Sequence, residues 1–337
     1  MKITESIKII LKNSYLFKNK NVVFSGCIKE YIFDNILTNS TKLHFFNYHY
    51  WSIFHQFLYK NSYFGLKINE KITKNVNILV YFWPKNKLNA TFQLINLLSS
   101  MPENIELFIA GENRSGVKSA INLLKQWVSL KNFDKSRKCI LIRGLVSQKP
   151  KFFLANFFKK YIWNSYNIKV LPGVFGFNKV DAGSILLMST FIGNTKKKIL
   201  DIGCGSGVLA VAIAKKSLLK VNLTLIDVNI ESLISSKETL KINMIKGSVL
   251  ASNLFSRITG KFDLIISNPP FHNNLNTNKK TIQKLIKYSK NYLYPKGELR
   301  LVINNSLFYQ NYILKIFGNC KILVNNNGYK VYQSYLE

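Results

Sequence analysis

Two stretches of this chain carry residues whose types and spacing could do chemistry. They are Ile199-Leu200-Asp201-Ile202-Gly203-Cys204-Gly205-Ser206-Gly207 and Ile265-Ile266-Ser267-Asn268-Pro269-Pro270-Phe271. The first reads as a buried apolar strand, Lys198–Ile202, that breaks into alternating glycines before a helix, Val208–Lys216. Glycines let a backbone turn sharply and approach a ligand where a Cβ would clash, and a helix start offers free amide donors. A second strand, Val221–Ile226, ends in Asp227, 24 residues after Gly203, where a carboxylate suits a ribose diol. This spacing would also fit a dinucleotide. Asp201 argues otherwise, because its charge beside the turn would repel a pyrophosphate but could meet the amino acid portion of S-adenosylmethionine. Asn253, after the strand-like Ser248–Leu250, is placed to hydrogen-bond an adenine edge.

The second stretch points to the acceptor. The Asn268 side-chain oxygen and the Pro269 carbonyl can both accept from an exocyclic amine, aiming its lone pair at a methyl sulfonium. Aligned carbonyl dipoles then stabilise the positive charge that develops on nitrogen. Pro269 and Pro270 stiffen the turn and bring no competing N–H, and Phe271 can stack on a flat base or amide. Asn268, Pro269, Pro270 and Phe271 are therefore the expected catalytic group, with Asn268 also touching the cofactor. No general base is required, and His272 is read as structural or exposed. Upstream, Asp181 reads as a helix N-cap, and its segment, with Gly183 and Ser184, is expected to close over the methionine end of the cofactor. Phe175 is expected near the substrate base. The expected cofactor set is thus Asp181, Gly183, Asp201, Gly203, Gly205, Gly207, Asp227, Asn253 and Asn268, with no metal.

The elements that must hold these residues repeat. Strand Phe262–Ser267, the Asn-Pro-Pro turn, a helix at Thr281–Tyr292, a turn at Pro295–Gly297 and strand Glu298–Ile303 form one series. Strand Val76–Val80, the turn Tyr81–Lys85, a helix at Ala90–Leu98, a turn at Pro102 and strand Ile105–Ala110 form another. An earlier strand, Asn21–Phe24, ends at Ser25-Gly26, where the second half has its three glycines. The pattern predicts a duplicated α/β fold whose first copy has lost its glycine loop, divided into residues 1–160 and 161–337 near an aperiodic stretch around 145–168. Leu171–Gly176 then reads as a loop or short hairpin.

The chain has 337 residues, 47% of them hydrophobic, enough for two cores. No run approaches the roughly 18 apolar residues of a membrane span, and early lysines interrupt any leader, so a cytoplasmic protein is expected. Cys27, Cys139, Cys204 and Cys320 lie far apart, which favours free thiols over a zinc site or disulfides. The net charge of +32 attracts polyanions, RNA foremost. Only five of the 48 basic residues are Arg, however, and the abundance of Lys, Asn, Ile, Phe and Tyr is that of an A+T-rich genome. About half of the basic excess is ascribed to that bias, Arg being the better phosphate ligand.

At this point the chain resembles the ribosomal small subunit methyltransferase C family. The resemblance rests on Leu171-Pro172-Gly173-Val174-Phe175, the Asp181, Asp201–Gly205 and Asn268–His272 motifs, and Ala251–Ser256. More specific are Trp83-Pro84-Lys85-Asn86-Lys87, Phe92–Leu98 and Gly111-Glu112-Asn113-Arg114-Ser115-Gly116. It implies two tandem Rossmann-like class I methyltransferase domains, the first degenerate, lacking the cofactor and supporting RNA recognition. It implies a guanine-N2 methyltransferase that uses S-adenosylmethionine on 16S rRNA, in the helix 34 region of the small subunit. A monomer is expected. One departure is Gly176-Phe177-Asn178-Lys179, where the family shows a Ser-Arg pair. Two other functions fit parts of the pattern: a protein-glutamine methyltransferase and a non-catalytic ribosome-assembly protein.

Overall fold

A computed structural model describes residues 3–30, 33–57, 61–191, 198–270 and 275–337, without the side chains of 275–278. The chain folds into two compact units, Met1–Phe157 and Phe158–Glu337.

The first unit contains seven strands: β1 (Asn21–Gly26), β2 (Ser40–Phe45), β3 (Ser62–Phe64), β4 (Ile78–Phe82), β5 (Glu106–Glu112), β6 (Val128–Lys135) and β7 (Cys139–Val146). They form one sheet in the order β3-β2-β1-β4-β5-β7-β6. The second unit opens with a hairpin, β8 (Lys159–Trp163) and β9 (Tyr166–Val170). Seven more strands follow: β10 (Lys198–Ile202), β11 (Asn222–Asp227), β12 (Ser248–Ala251), β13 (Phe262–Ser267), β14 (Leu293–Asn304), β15 (Lys321–Asn326) and β16 (Tyr329–Tyr335). Their order, β12-β11-β10-β13-β14-β16-β15, repeats that of the first sheet. In both sheets five strands pair in parallel, the sixth in order joins them antiparallel, and the outermost pairs antiparallel with the sixth. The α/β duplication expected from the sequence is therefore present strand for strand.

Strand register identifies equivalent positions in the two units. In the first unit Gly26 pairs with Phe82, and Phe45 lies two positions beyond the Phe24–Leu43 pair, level with Gly26. In the second, Gly203, Asp227 and Asn268 lie one position beyond the pairs Ile202–Ile226 and Ile202–Ser267. Phe24, Phe45 and Phe82 thus stand where the second unit has Asp201, Asp227 and Asn268. All three rings are buried in one apolar cluster, with Phe24 against Phe33 at 4.7 Å and Phe45 against Phe54 at 5.5 Å. The two leading glycines differ in the same sense. Both have positive φ, but a Cβ on Gly26 would lie 2.4 Å from the Phe82 carbonyl oxygen, whereas one on Gly203 meets nothing within 4 Å among the described residues. In the first unit protein fills the space that the second leaves open.

Several boundaries differ from the sequence expectation. Asn75 takes φ +59° and β4 starts only at Ile78, while Tyr81 and Phe82 belong to it rather than to the turn after it because they pair with Ser25 and Gly26. The helix placed at Thr281–Tyr292 runs from Leu275 to Ser289, followed by a short 3-10 turn. Pro295–Gly297 does not end an element: β14 runs through it with an irregularity in register, Lys296 taking φ +60°. The aperiodic stretch before Leu171 holds the β8–β9 hairpin, turned by Asn164 and Ser165 at φ +45° and +66°. Among the described residues no helix is long and apolar enough to cross a membrane.

Phe45 fills the first unit's core in place of a carboxylate. Phe45→Ala should therefore destabilise that unit by about 3–5 kcal/mol. Chemical denaturation of the full chain, followed by Trp fluorescence, reads this, three of the four Trp lying in the first unit. A loss below about 1 kcal/mol would mean the ring is not packed as described.

Candidate functional site at the carboxyl ends of the second sheet

β10 is an interior strand of its sheet, between β11 and β13, and the glycine turn leaves its carboxyl end. The turn is bound to β11, since the Gly203 and Cys204 amides both donate to the Ile226 carbonyl, at 2.8 and 3.0 Å. The Gly205 amide donates to Asp227 Oδ2 at 3.1 Å, and Asn229 N donates to Oδ1 at 2.9 Å. From the helix Ile230–Ile242, Ser236 Oγ donates to the Gly205 carbonyl at 2.9 Å. A Cβ on Gly207 would crowd that helix, 3.1 Å from the Ser236 backbone. Gly207 thus permits close packing, while Gly203 leaves open space.

The electrostatics centre on two carboxylates. Asp201 is 1% exposed, and among the described residues neither of its oxygens has a hydrogen-bond partner. Burial, and secondarily the Asp227 carboxylate, push its carboxyl up to about 8. Asp227 is raised too, by burial, against the lowering effect of the amides it accepts from. Neither has an ion-pair partner among the described residues. Burial also pushes the Cys204 thiol well up, which makes it inert. No group of three or more metal-ligating side chains occurs among the described residues. An open cradle lined by two buried carboxylates, one wholly unpartnered, fits a ligand that brings positive charge and hydroxyl donors.

On the other side of β10, the Ser267 hydroxyl donates to the Ile202 carbonyl at 2.7 Å and fixes the end of β13. The next residue, Asn268, donates through Nδ2 to Asp181 Oδ1 and to Ser184 Oγ, both at 2.9 Å. Asp181 caps the helix Ala182–Ser189, accepting from Ser184 N at 3.0 Å. Asp181 Oδ1 accepts from both the Ser184 N–H and the Asn268 NH2, so the Asn268 side-chain oxygen is turned away from it. Pro269 is buried and Pro270 exposed.

The remaining expected residues surround this centre. A Cβ on Gly183 would touch the Tyr329 ring at 3.2 Å, so this glycine seats its helix against β16. The Phe175 ring is exposed, and the Phe175 backbone carbonyl oxygen lies within 4 Å of a Cβ built on Gly205. Tyr161 of the hairpin anchors this loop by donating to the Gly176 carbonyl at 2.8 Å. Asn253 lies two residues beyond Ala251, the partner of Asp227, and its backbone N–H donates to Ser256 Oγ at 3.1 Å. Phe271 and His272 lie outside the described residues. Sequence reasoning missed Ser184 as a partner of Asn268, and Ser236. The first is separated from its partner by 84 residues, and no local pattern reports such a pair.

The family model described as Methyltransferase small domain matches residues 165–333, and the one described as Methyltransferase small domain N-terminal matches 8–161. A relative from Buchnera aphidicola subsp. Schizaphis graminum, named Ribosomal RNA small subunit methyltransferase C, is 43% identical over 99% of both chains. Another of that name, from Erwinia tasmaniensis, is 40% identical over 98% of this chain and 96% of its own. This chain belongs to the ribosomal RNA small subunit methyltransferase C family. Within that family the fold is two tandem Rossmann-like class I methyltransferase domains, the first degenerate. The T. thermophilus 16S rRNA N2 G1207 methyltransferase (RsmC), solved with AdoMet and guanosine, has the same fold. Its TM-score is 0.81 at 17% identity, covering 99% of this chain and 92% of that one.

The Asp201 carboxyl also makes a pH prediction for this family member. Its folded value of about 8 exceeds the ordinary value of 3.8, so the folded state holds the proton more tightly. The ligand-free protein should therefore lose stability as pH rises from about 4 to 8. Asp201→Asn should flatten that slope and leave the variant more stable than the parent at pH 8.5. Thermal melts at pH 6 and 8.5 decide this, and parallel shifts of both proteins would refute it.

Proposed function

We propose that this chain transfers a methyl group from S-adenosylmethionine to the exocyclic N2 of a guanine in 16S rRNA of the small ribosomal subunit, in the cytoplasm. The observation that carries the reading is the Asp181–Asn268 hydrogen bond, which sets the amide oxygen as an acceptor beside the open glycine cradle. The membership of the family supports the substrate, because relatives of this name modify small-subunit ribosomal RNA. The finer position, one guanine of helix 34, is part of the proposal.

When bound, S-adenosylmethionine supplies an electrophilic methyl on a sulfonium. Asp201 meets its cationic amino acid end, Asp227 its ribose and Asn253 its adenine. Gly203, Gly205 and Gly207 shape the cradle, and Asp181 and Gly183 build the helix start that closes the methionine end. Asn268 Oδ1 and the Pro269 carbonyl accept the two N–H groups of the guanine amine and stabilise its growing positive charge. Pro270 stiffens the turn, and Phe271 and Phe175 hold the base. Asp181 is a positioning residue for Asn268, since its oxygen accepts from the NH2, whereas the Ser184 hydroxyl could serve either orientation of the amide. We assign catalysis to residues 161–337 and RNA recognition to residues 1–160, whose buried Phe24, Phe45 and Phe82 leave no polar site for a cofactor.

Labelled S-adenosylmethionine, offered with small subunits, naked 16S rRNA, tRNA or release-factor protein, tests the reading. N2-methylguanosine recovered from 16S rRNA is the expected product. Label in glutamine, or no label, would overturn it. Asn268→Ala should lower kcat by about 10²–10³ while cofactor affinity changes only a few-fold. Asp181→Asn should lower kcat at least about tenfold, because the amide can then flip, and Asp181→Glu should recover part of it. Wild-type kcat in both Asp181 variants would remove its positioning role.

A further inference from the structure

The first unit contains a cavity of about 780 Å3 whose lining includes Thr4, Glu5, Glu112, Arg114, Arg137 and Lys138. It lies where β5 ends and β7 begins, Glu112 pairing with Cys139 across that boundary. The loop carrying Arg114 is braced. Asn113 N donates to the Lys138 carbonyl at 2.9 Å, and Asn113 Nδ2 to the Arg137 carbonyl at 3.3 Å. From the end of β4, Trp83 Nε1 donates to the Ser115 carbonyl at 3.2 Å. A Cβ on Gly111 would strike Trp83 and Val117 within 3 Å. The two most distinctive sequence stretches of this half, Trp83–Lys87 and Gly111–Gly116, thus lock together and present Arg114.

The arginines are informative because there are only five beside 43 lysines. Three have structural employment. Arg143 pairs with Glu106 and stacks on Phe108 and Phe133. Arg300 pairs with Glu298, donates to the Thr190 carbonyl and lies over Phe191. Arg257 donates to the Ala251 carbonyl. The other two, Arg114 and Arg137, are exposed, and among the described residues neither guanidinium has a hydrogen bond or ion pair. In a chain that uses Lys almost everywhere, both remaining arginines converge on one cavity. Of its two carboxylates, Glu5 is engaged by Lys8 at 2.9 Å. Lys29 and Lys85 lie at the same end of the sheet, within electrostatic reach of Cys27 at the end of β1, as do the carboxylates of Glu30 and Glu112.

We propose that this cavity is an RNA backbone site, in which Arg114 and Arg137 grip phosphate oxygens of the substrate with planar, two-pronged hydrogen bonds, supported by Lys138. Its volume suits a nucleotide unit. The proposal rests on the reading that the substrate is ribosomal RNA.

Labelled 16S rRNA is titrated with the full-length protein across a salt series, for the wild type, Arg114→Ala/Arg137→Ala and a control, Lys71→Ala/Lys74→Ala. The control lysines are exposed and precede β4, at the opposite end of the parallel strands. Loss of the two arginines should weaken RNA binding at least about tenfold and make the slope of log affinity against log salt shallower by about 1.5, with cofactor affinity unchanged. Arg114→Lys/Arg137→Lys should restore the slope and part of the affinity. Wild-type binding by the alanine pair, or an equal loss in the control, overturns the proposal while N2-methylguanosine formation leaves the functional reading standing. If the wild type instead labels protein, both fall.

Discussion

Two carboxylates buried on neighbouring parallel strands, with no cation beside them among the described residues, are the constraint around which the second unit is organised. Burial of like charges is unfavourable, and the structure responds to each differently. Asp227 is met by the amides of Gly205 and Asn229, so the glycine turn that frames the cradle is also its hydrogen-bond partner. Asp201 receives no hydrogen bond among the described residues, and in the ligand-free protein it stays neutral below about pH 8. The cradle is thus built for a cationic guest at a cost in stability, which the large apolar cluster under β10, β13 and β14 offsets.

The first unit shows the same backbone relieved of that constraint. With Phe24, Phe45 and Phe82 at the equivalent positions, the sheet keeps its strand order, Gly26 keeps its positive φ, and the space is filled by rings and the Phe82 backbone. What the duplicate no longer spends on a ligand it uses for packing. Its exposed Arg114 and Arg137 line the cavity at the end of β5, beside the loop whose Ser115 carbonyl Trp83 holds.

Much of this was legible in the sequence wherever neighbours along the chain carry the signal. The Asp201–Gly207 turn, Asp227 at a strand end, the Asp181 cap and the repeated strand–turn–helix series are contiguous patterns, and each falls at the expected end of its element. The interactions that give them their chemistry are not contiguous. Asn268 meets Asp181 across 87 residues, and Ser236 reaches the glycine turn from a helix three elements later. The β8–β9 hairpin was hidden because its turn is Asn164-Ser165 rather than a glycine pair, and its strands are too polar to read as buried. The shift of β4 to Phe82 was hidden too, since Tyr81 and Phe82 before a Pro look like a turn until the pairing with Gly26 is seen.

Calorimetric titration of S-adenosylmethionine into the protein at about pH 6.5, in buffers of different ionisation enthalpy, tests the central claim most directly. A cationic ligand seated beside Asp201 must draw it into its charged form, so binding should release close to one proton in the parent and none in Asp201→Asn. Binding without proton release in the parent, or the same release in both proteins, would contradict the account.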